Sequence, residues 1–262
     1  MADLIANGVR LHVQVLRPAA PAGPAVLFLH GLVMDNLSSF YFTLAPSVAR
    51  TAEAVLFDLR GHGRSERPPR GYAVSDFVGD ALGLLDALPA RGPVHVVGNS
   101  FGGLLALSLA AAAPGRVASL VLLDAHRGPS GWGDAMARTL SLRGEERDEA
   151  IARGFRHWLG RHSTRKRTRL ARIAQALIEE TTLVEDLRAS PALAEDALRA
   201  IDRPVLALYG AGSDLRPQAE ELARLLPRVE LAVRAGCTHS ILWEETAWVR
   251  DRIVAWIREH EG

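Results

Sequence analysis

The chain has 262 residues, 48% of them hydrophobic and 23% charged, and its 31 basic against 30 acidic residues leave a formal charge of +1. That length allows a large core, in one α/β domain with an insertion or in two small domains, and the near-zero charge gives no global field for nucleic acid or membrane. One cysteine, Cys237, excludes an internal disulfide and fits a reducing, cytoplasmic compartment; no apolar run is long enough to span a bilayer and the start, Met-Ala-Asp-Leu-Ile, lacks the pattern of a signal peptide.

Val9 to Leu16 alternates apolar and polar residues behind Asn7-Gly8, a hairpin turn signal. Pro18 to Pro24 is a loop. Ala25-Val26-Leu27-Phe28-Leu29 is a continuous apolar run, as in a strand buried on both faces, and it ends at His30-Gly31-Leu32. Residues 37–49 are a helix candidate. Ala54-Val55-Leu56-Phe57 is a second buried strand, ending at Asp58. Phe77 to Leu88 has helical spacing. Val94 to Val97 is a third buried strand, Leu104 to Ala113 a Leu/Ala helix, and Val117 to Leu123 a further strand ending at Asp124. Strands alternating with helices predict a parallel sheet with right-handed crossovers. Ligands bind such sheets beyond the carboxyl ends of the strands, where His30, Asp58, Ser100 and Asp124 all fall.

From about His126 to Ile201 the alternation stops. Ile151, Phe155, Trp158 and Leu159 share one helical face, and Leu170, Ile173, Ala174, Leu177 and Ile178 form a second stripe. An all-helical insertion over 127–201 is expected, between core segments 1–126 and 202–262, with most stripe residues in ordinary packing and a few facing a site. The strand pattern resumes at Val205 to Tyr209, followed by Gly210-Ala211-Gly212-Ser213-Asp214. Ala219 to Leu226 is helical, Val229 to Val233 is the last strand and leads to His239, and Thr246 to Ile257 is the closing helix.

Gly98-Asn99-Ser100-Phe101-Gly102 is G-x-S-x-G between an apolar strand and a helix, the context of a nucleophile elbow. A serine hydroxyl needs a base to take its proton, and the base needs an orienting carboxylate. His239, in the loop after the last strand, is the base candidate. Asp214 and Asp124 both end strands, and either carboxylate could orient it; Asp214 fits the chain order Ser, Asp, His and is preferred. An oxyanion requires fixed donors. The Phe101 N–H, just after the nucleophile, is one, and the Leu32 N–H after the His30-Gly31 turn is the other. His30 and His62 are expected to brace loops. No P-loop, metal-ligand spacing or dinucleotide fingerprint occurs, so neither cofactor nor metal is implied. Between Arg153 and Arg172 eight basic residues occur with no acidic one. Such a run is usually a solvated helix face; the sharper reading is docking of a carrier- or coenzyme-A-bound acyl substrate.

The His30-Gly31 turn, Asp58 to Ser65 (D-L-R-G-H-G-R-S), the Gly98 to Gly103 elbow and the strand leading to His239 together resemble the α/β-hydrolase superfamily over nearly the whole chain. The resemblance implies a mostly parallel eight-stranded sheet with helices on both faces and a helical cap after the sixth strand. It implies a triad of Ser100, His239 and Asp214. One departure matters: many relatives carry G-x-x-D after the corresponding strand, and here that spacing places Ser213, not Asp214, at the acid position. The loop therefore differs, or the acid is Asp124, as in relatives that carry it after the sixth strand. The elbow also resembles that of carbon–carbon bond hydrolases, whereas Leu32-Val33-Met34-Asp35-Asn36 lacks their Gly-rich segment. The reaction expected is hydrolysis of an ester or thioester of a hydrophobic small-molecule acyl group. Cleavage of a diketone-type carbon–carbon bond, or cofactor-free perhydrolysis, is the alternative on the same residues.

Overall fold

Asn7 and Gly8 both hold positive φ, 49° and 75°, as the tight turn between twisted antiparallel strands requires. They join β1 (Ala2–Ala6) to β2 (Val9–Leu16), with Ala6 opposite Val9. Six more strands follow: β3 (Val26–Leu29), β4 (Ala54–Phe57), β5 (Val94–Asn99), β6 (Val117–Leu123), β7 (Val205–Gly210) and β8 (Val229–Arg234). They form one sheet in the order β1-β2-β4-β3-β5-β6-β7-β8. The pairs β1–β2 and β2–β4 are antiparallel, and every other pair is parallel. The eight-stranded, mostly parallel sheet is thus present as the sequence implied. The structure, a computed structural model, describes residues 2–19, 23–88, 92–128, 131–142, 146 and 164–260.

The continuous apolar runs make sense because both faces of the sheet are covered. Alternate residues of each strand go to opposite sides: Leu27, Leu29, Val96, Leu120 and Leu122 to one core, Val26, Phe28, Val97, Val121 and Leu123 to the other. Helices α1 (Ser38–Tyr41) and α2 (Ala45–Val48) cover the second face, and α3 (Val74–Ala87) and α4 (Phe101–Ala112) the first. A single helix was expected over 37–49. Pro46 divides it, because proline has no N–H to continue the hydrogen-bond ladder.

Between β6 and β7 the described residues contain no strand. Helices α5 (Trp132–Ser141), α6 (Thr164–Glu179), α7 (Leu183–Ala189) and α8 (Glu195–Arg199) occupy that interval. Gly133 of α5 lies against the Leu187 and Arg188 backbone of α7, too close for any side chain. Of the second apolar stripe, Leu177 is fully buried in the core while Ala174 and Ile178 face a cavity. The expected stripe of Ile151, Phe155, Trp158 and Leu159 lies outside the described residues. So do Arg153, Arg156 and Arg161, and the side chains of Arg165, Lys166 and Arg167; Arg169 and Arg172 are exposed on α6. Helices α9 (Arg216–Leu225), α10 (Ile241–Glu244) and α11 (Thr246–Glu259) complete the chain, α11 closing the second face with Val249, Ile253 and Trp256. Among the described residues no helix is long and apolar enough to cross a membrane.

Candidate active site

Strand β5 runs out at Asn99 and helix α4 begins at Phe101, so Ser100 alone makes the turn. Its backbone sits at φ 54° and ψ −116°, a region that L-residues rarely occupy. The turn is held by the Ser100 N–H donating to the Leu123 carbonyl (2.9 Å) and the Gly103 N–H donating to the Ser100 carbonyl (2.9 Å). It is possible only because its neighbours have no side chains. A Cβ on Gly102 would collide with the Leu29 carbonyl, and one on Gly98 with the Gly102 carbonyl. The hydroxyl is thereby presented at the N-terminus of α4, where unspent N–H groups favour negative charge.

His239 follows β8 in a short loop. The preceding residue, Thr238, donates its N–H (2.7 Å) and its hydroxyl (2.8 Å) to the Glu244 carboxylate, which fixes the loop. The His239 ring then bridges two groups distant in sequence. Its Nε2 lies 3.1 Å from Ser100 Oγ and its Nδ1 lies 3.1 Å from Asp124 Oδ1. The preference for Asp214 as the orienting carboxylate is therefore corrected. Asp214 is exposed and makes none of the hydrogen bonds to His239, whereas Asp124 is fully buried at the end of β6. The Gly210 N–H donates to Asp124 Oδ2 (3.0 Å), and the Ser213 hydroxyl donates to Oδ1 alongside His239. Asp124 itself is held at φ 45°, its N–H bonded to the Leu208 carbonyl (2.9 Å). The physical reason is visible in the β7 loop. Ser213, at the acid position of the G-x-x-D spacing, supports the carboxylate of Asp124, and Asp214, one residue later, turns to solvent.

Burial of His239 disfavours its charged form. The hydrogen bond to Asp124, that residue's charge, and the charges of Asp214 and Glu244 outweigh burial, and the pKa is raised above 6.5. Such a ring is a stronger base, and once protonated it is stabilised by the carboxylate behind it.

The turn after β3 is built to leave one donor free. The Gly31 N–H donates to Asp35 Oδ2 (2.8 Å) and the Val33 N–H donates to His62 Nε2 (2.7 Å). Among the described residues the Leu32 N–H, between them, donates to nothing, and neither does the Phe101 N–H at the start of α4. Both residues line the same cavity as Ser100. Val33 is held at φ 67°, strained for a β-branched side chain. His62 holds it there as a neutral ring: Nδ1–H donates to the Arg60 carbonyl (2.8 Å), and burial, then the neighbouring His30, push its pKa down to about 3. His30 donates from Nδ1 to the Gly31 carbonyl (2.7 Å) and accepts the Leu59 N–H at Nε2 (3.0 Å).

Ser100 and His239 open onto a cavity of about 240 Å³. Leu32, Met34 and Phe101 line its floor, Met136, Leu140 and Ile178 come from α5 and α6, and Trp243 comes from α10. The helices between β6 and β7 thus supply part of its wall. Among the described residues no group of three or more His, Cys, Asp or Glu side chains is arranged to hold a metal ion.

The family model for the alpha/beta hydrolase fold matches residues 24–183, more than half of the chain. The chain belongs to the α/β-hydrolase fold family. A non-heme chloroperoxidase of Streptomyces lividans is 27% identical over 267 residues, spanning 90% of this chain and 92% of that protein. Among solved structures, the meta-cleavage product hydrolase of Pseudomonas fluorescens superposes with a TM-score of 0.76 at 21% identity, covering 99% of this chain and 98% of that one. The enol-lactonase of Burkholderia xenovorans gives 0.75 at 20% identity, covering 98% and 100%. At these identities the structural likeness is one of fold.

Within this α/β-hydrolase, Asp35, His126 and Trp243 are among the cavity residues that no motif announced. For His126 the one available signal was its place, two residues beyond a strand-end aspartate in a sheet whose ligands bind at that edge.

Proposed function

We propose that this α/β-hydrolase is a serine hydrolase of short, neutral esters or thioesters, working through an acyl-enzyme on Ser100. The observation that carries the reading is the unbroken line from Asp124 to His239 to Ser100, at 3.1 Å and 3.1 Å, opening into a cavity. Ser100 Oγ attacks the carbonyl carbon while His239 Nε2 takes its proton. The imidazolium is held by Asp124, and the oxyanion accepts from the Leu32 and Phe101 N–H groups. His239 then protonates the departing alcohol or thiol. Water then attacks the acyl carbon while His239 takes its proton; the bond to Ser100 Oγ breaks, His239 returns the proton to Oγ, and the acid leaves.

Cavity size and lining support the substrate class. At about 240 Å³ the cavity is smaller than the roughly 300–1,000 Å³ of sites for drug-sized ligands, which favours short substrates. The described lining residues include no lysine or arginine, and Asp35 adds a carboxylate. That combination favours an uncharged substrate over a carboxylate-bearing one. In this reading residues 127–201 form a cap that limits the length of the acyl chain.

The test is covalent labelling by a fluorophosphonate, followed by mass spectrometry, beside rates on esters of increasing acyl length. Labelling at Ser100, absent in Ser100→Ala, with activity falling off past short chains, is the expected result. A folded protein that neither labels nor turns over any ester would refute the reading. The similarity to the chloroperoxidase favours a second outcome from the same acyl-enzyme: hydrogen peroxide attacks in place of water, giving a peracid and free Ser100. Peracid formed from ester and peroxide, in competition with hydrolysis, is its signature.

A further inference from the structure

His126 is the polar group of the cavity that this chemistry leaves unused. It follows β6 two residues after Asp124, is 4% exposed, and lines the cavity together with Ser100 and His239. Its ring is held on two sides. It packs against the Trp132 indole (centroids 4.7 Å apart), which in turn stacks on Phe101 at 6.0 Å. Its Nδ1 accepts the Gly128 N–H at 3.0 Å. That bond settles the tautomer, since Nδ1 must carry the lone pair and the proton must sit on Nε2. Among the described residues nothing accepts from Nε2, and this atom is not sealed in the core, as the unpartnered Nε2 of His95 is. The cavity therefore contains a rigid, uncharged donor with no acceptor.

A fixed donor that opens into a cavity without a protein partner is a source of selectivity when a bound ligand supplies the acceptor. The scissile carbonyl oxygen is already provided for by the Leu32 and Phe101 N–H groups. We propose that His126 is a specificity-determining residue whose Nε2–H binds a second oxygen of the substrate, so that the preferred esters carry an oxo or ether oxygen near the scissile bond. Burial, then the nearby His239, push the His126 pKa down to about 3. The donor is thus the same neutral imidazole throughout the range in which His239 works, and the preference should not vary with pH. This inference rests on the ester-hydrolase reading given above.

Two pairs of esters of matched size test it. Methyl 3-oxobutanoate is compared with methyl 3-methylbutanoate, and 2-methoxyethyl acetate with butyl acetate. Each pair swaps one oxygen for carbon, on the acyl or on the alcohol side. The quantity is the ratio of kcat/KM within a pair, divided by the same ratio for His126→Phe, which keeps a ring against Trp132 and lacks the donor. Intrinsic reactivity cancels in that quotient. A quotient on the order of tenfold in at least one pair is expected, the scale of a single hydrogen bond. A quotient near one in both pairs would overturn the proposal.

A second measurement leaves His126 intact. In Ser100→Ala, the ¹⁵N and ¹H resonances of His126 Nε2–H should move on titration with an oxygen-bearing ester and not with its carbon analogue. Equal responses to both members of each pair would overturn the proposal even if His126→Phe failed to fold. Absence of turnover for all four esters by the wild type would count against the hydrolase reading instead, and the resonance experiment would still decide the role of His126.

Discussion

Replacing Asp124 by asparagine tests the relay where the structure departs most from the sequence reading. Asp124 Oδ2 accepts the Gly210 N–H, while Oδ1 accepts from the Ser213 hydroxyl and from His239 Nδ1. An amide has one accepting oxygen and one donating nitrogen. If the oxygen stays with Gly210, the NH₂ faces His239 and forces Nδ1 to become an acceptor. The ring proton then moves to Nε2, and His239 can no longer take the Ser100 proton. The opposite rotamer sets NH₂ against the Gly210 N–H, two buried donors face to face, at a cost of about 1–3 kcal/mol. The first arrangement therefore prevails, with the wrong tautomer at the base. In serine proteases the equivalent change lowers kcat by about 10⁴, and a loss of that order is expected here. The assay is steady-state hydrolysis of a short ester by wild type, Asp124→Asn and Asp214→Asn, with circular dichroism to establish that each is folded. Asp214 is exposed and contributes to His239 only through its charge, so its variant should stay within about threefold of wild type, the scale of a screened surface charge. A crippled Asp214→Asn beside a nearly normal Asp124→Asn would refute the reasoning.

The remaining expectations use the same geometry. On a neutral ester, kcat/KM should fall as pH drops through the His239 pKa, with a midpoint above 6.5, because the neutral ring is the active base and its folded pKa is raised; a midpoint at or below 6.5 would contradict this. Ser100→Ala should lower kcat by on the order of 10⁶, as for the nucleophile of subtilisin, with folding unchanged by calorimetry. His62→Phe removes the acceptor that holds the Val33 N–H, so kcat should drop by about 10–10² with little change in KM, less than outright loss of an oxyanion donor. His62→Gln, which keeps an acceptor, should recover part of that loss. Gly102→Ala puts a methyl against the Leu29 carbonyl and should cost about 1–3 kcal/mol, read as a thermal midpoint several degrees lower; an unchanged midpoint would mean that the elbow has room to relax.

Much of this molecule was legible from its residues. Runs such as Val26–Leu29 and Ala54–Phe57 are apolar on both faces because both faces are covered, and that demand leaves its mark locally. Asn7-Gly8 specifies a turn that only positive φ allows, and Gly98 and Gly102 specify a serine turn too tight for side chains. These are short-range effects of sterics, burial and backbone conformation, so they announce the sheet, the elbow and two of the three members of the relay, Ser100 and His239. The expected helix over 37–49 was divided by a residue whose effect is equally local, Pro46.

The choice of carboxylate was of another kind. Asp124 and Asp214 both follow buried strands, and the one local hint, Ser213 standing where G-x-x-D would place the acid, left either of them open. The decision lies in hydrogen bonds that cross the sheet between residues far apart in the chain: the Gly210 N–H and the Ser213 hydroxyl on Asp124, and Asp124 on His239. The free Leu32 N–H likewise depends on Asp35 and His62 occupying its neighbours, and the free donor of His126 on the Gly128 N–H reaching back to Nδ1. A donor's partner is set by angles and separations good to a few tenths of an ångström, and those exist only once strands and loops are packed. Local chemistry announced which groups could react; tertiary packing decided which of them meet.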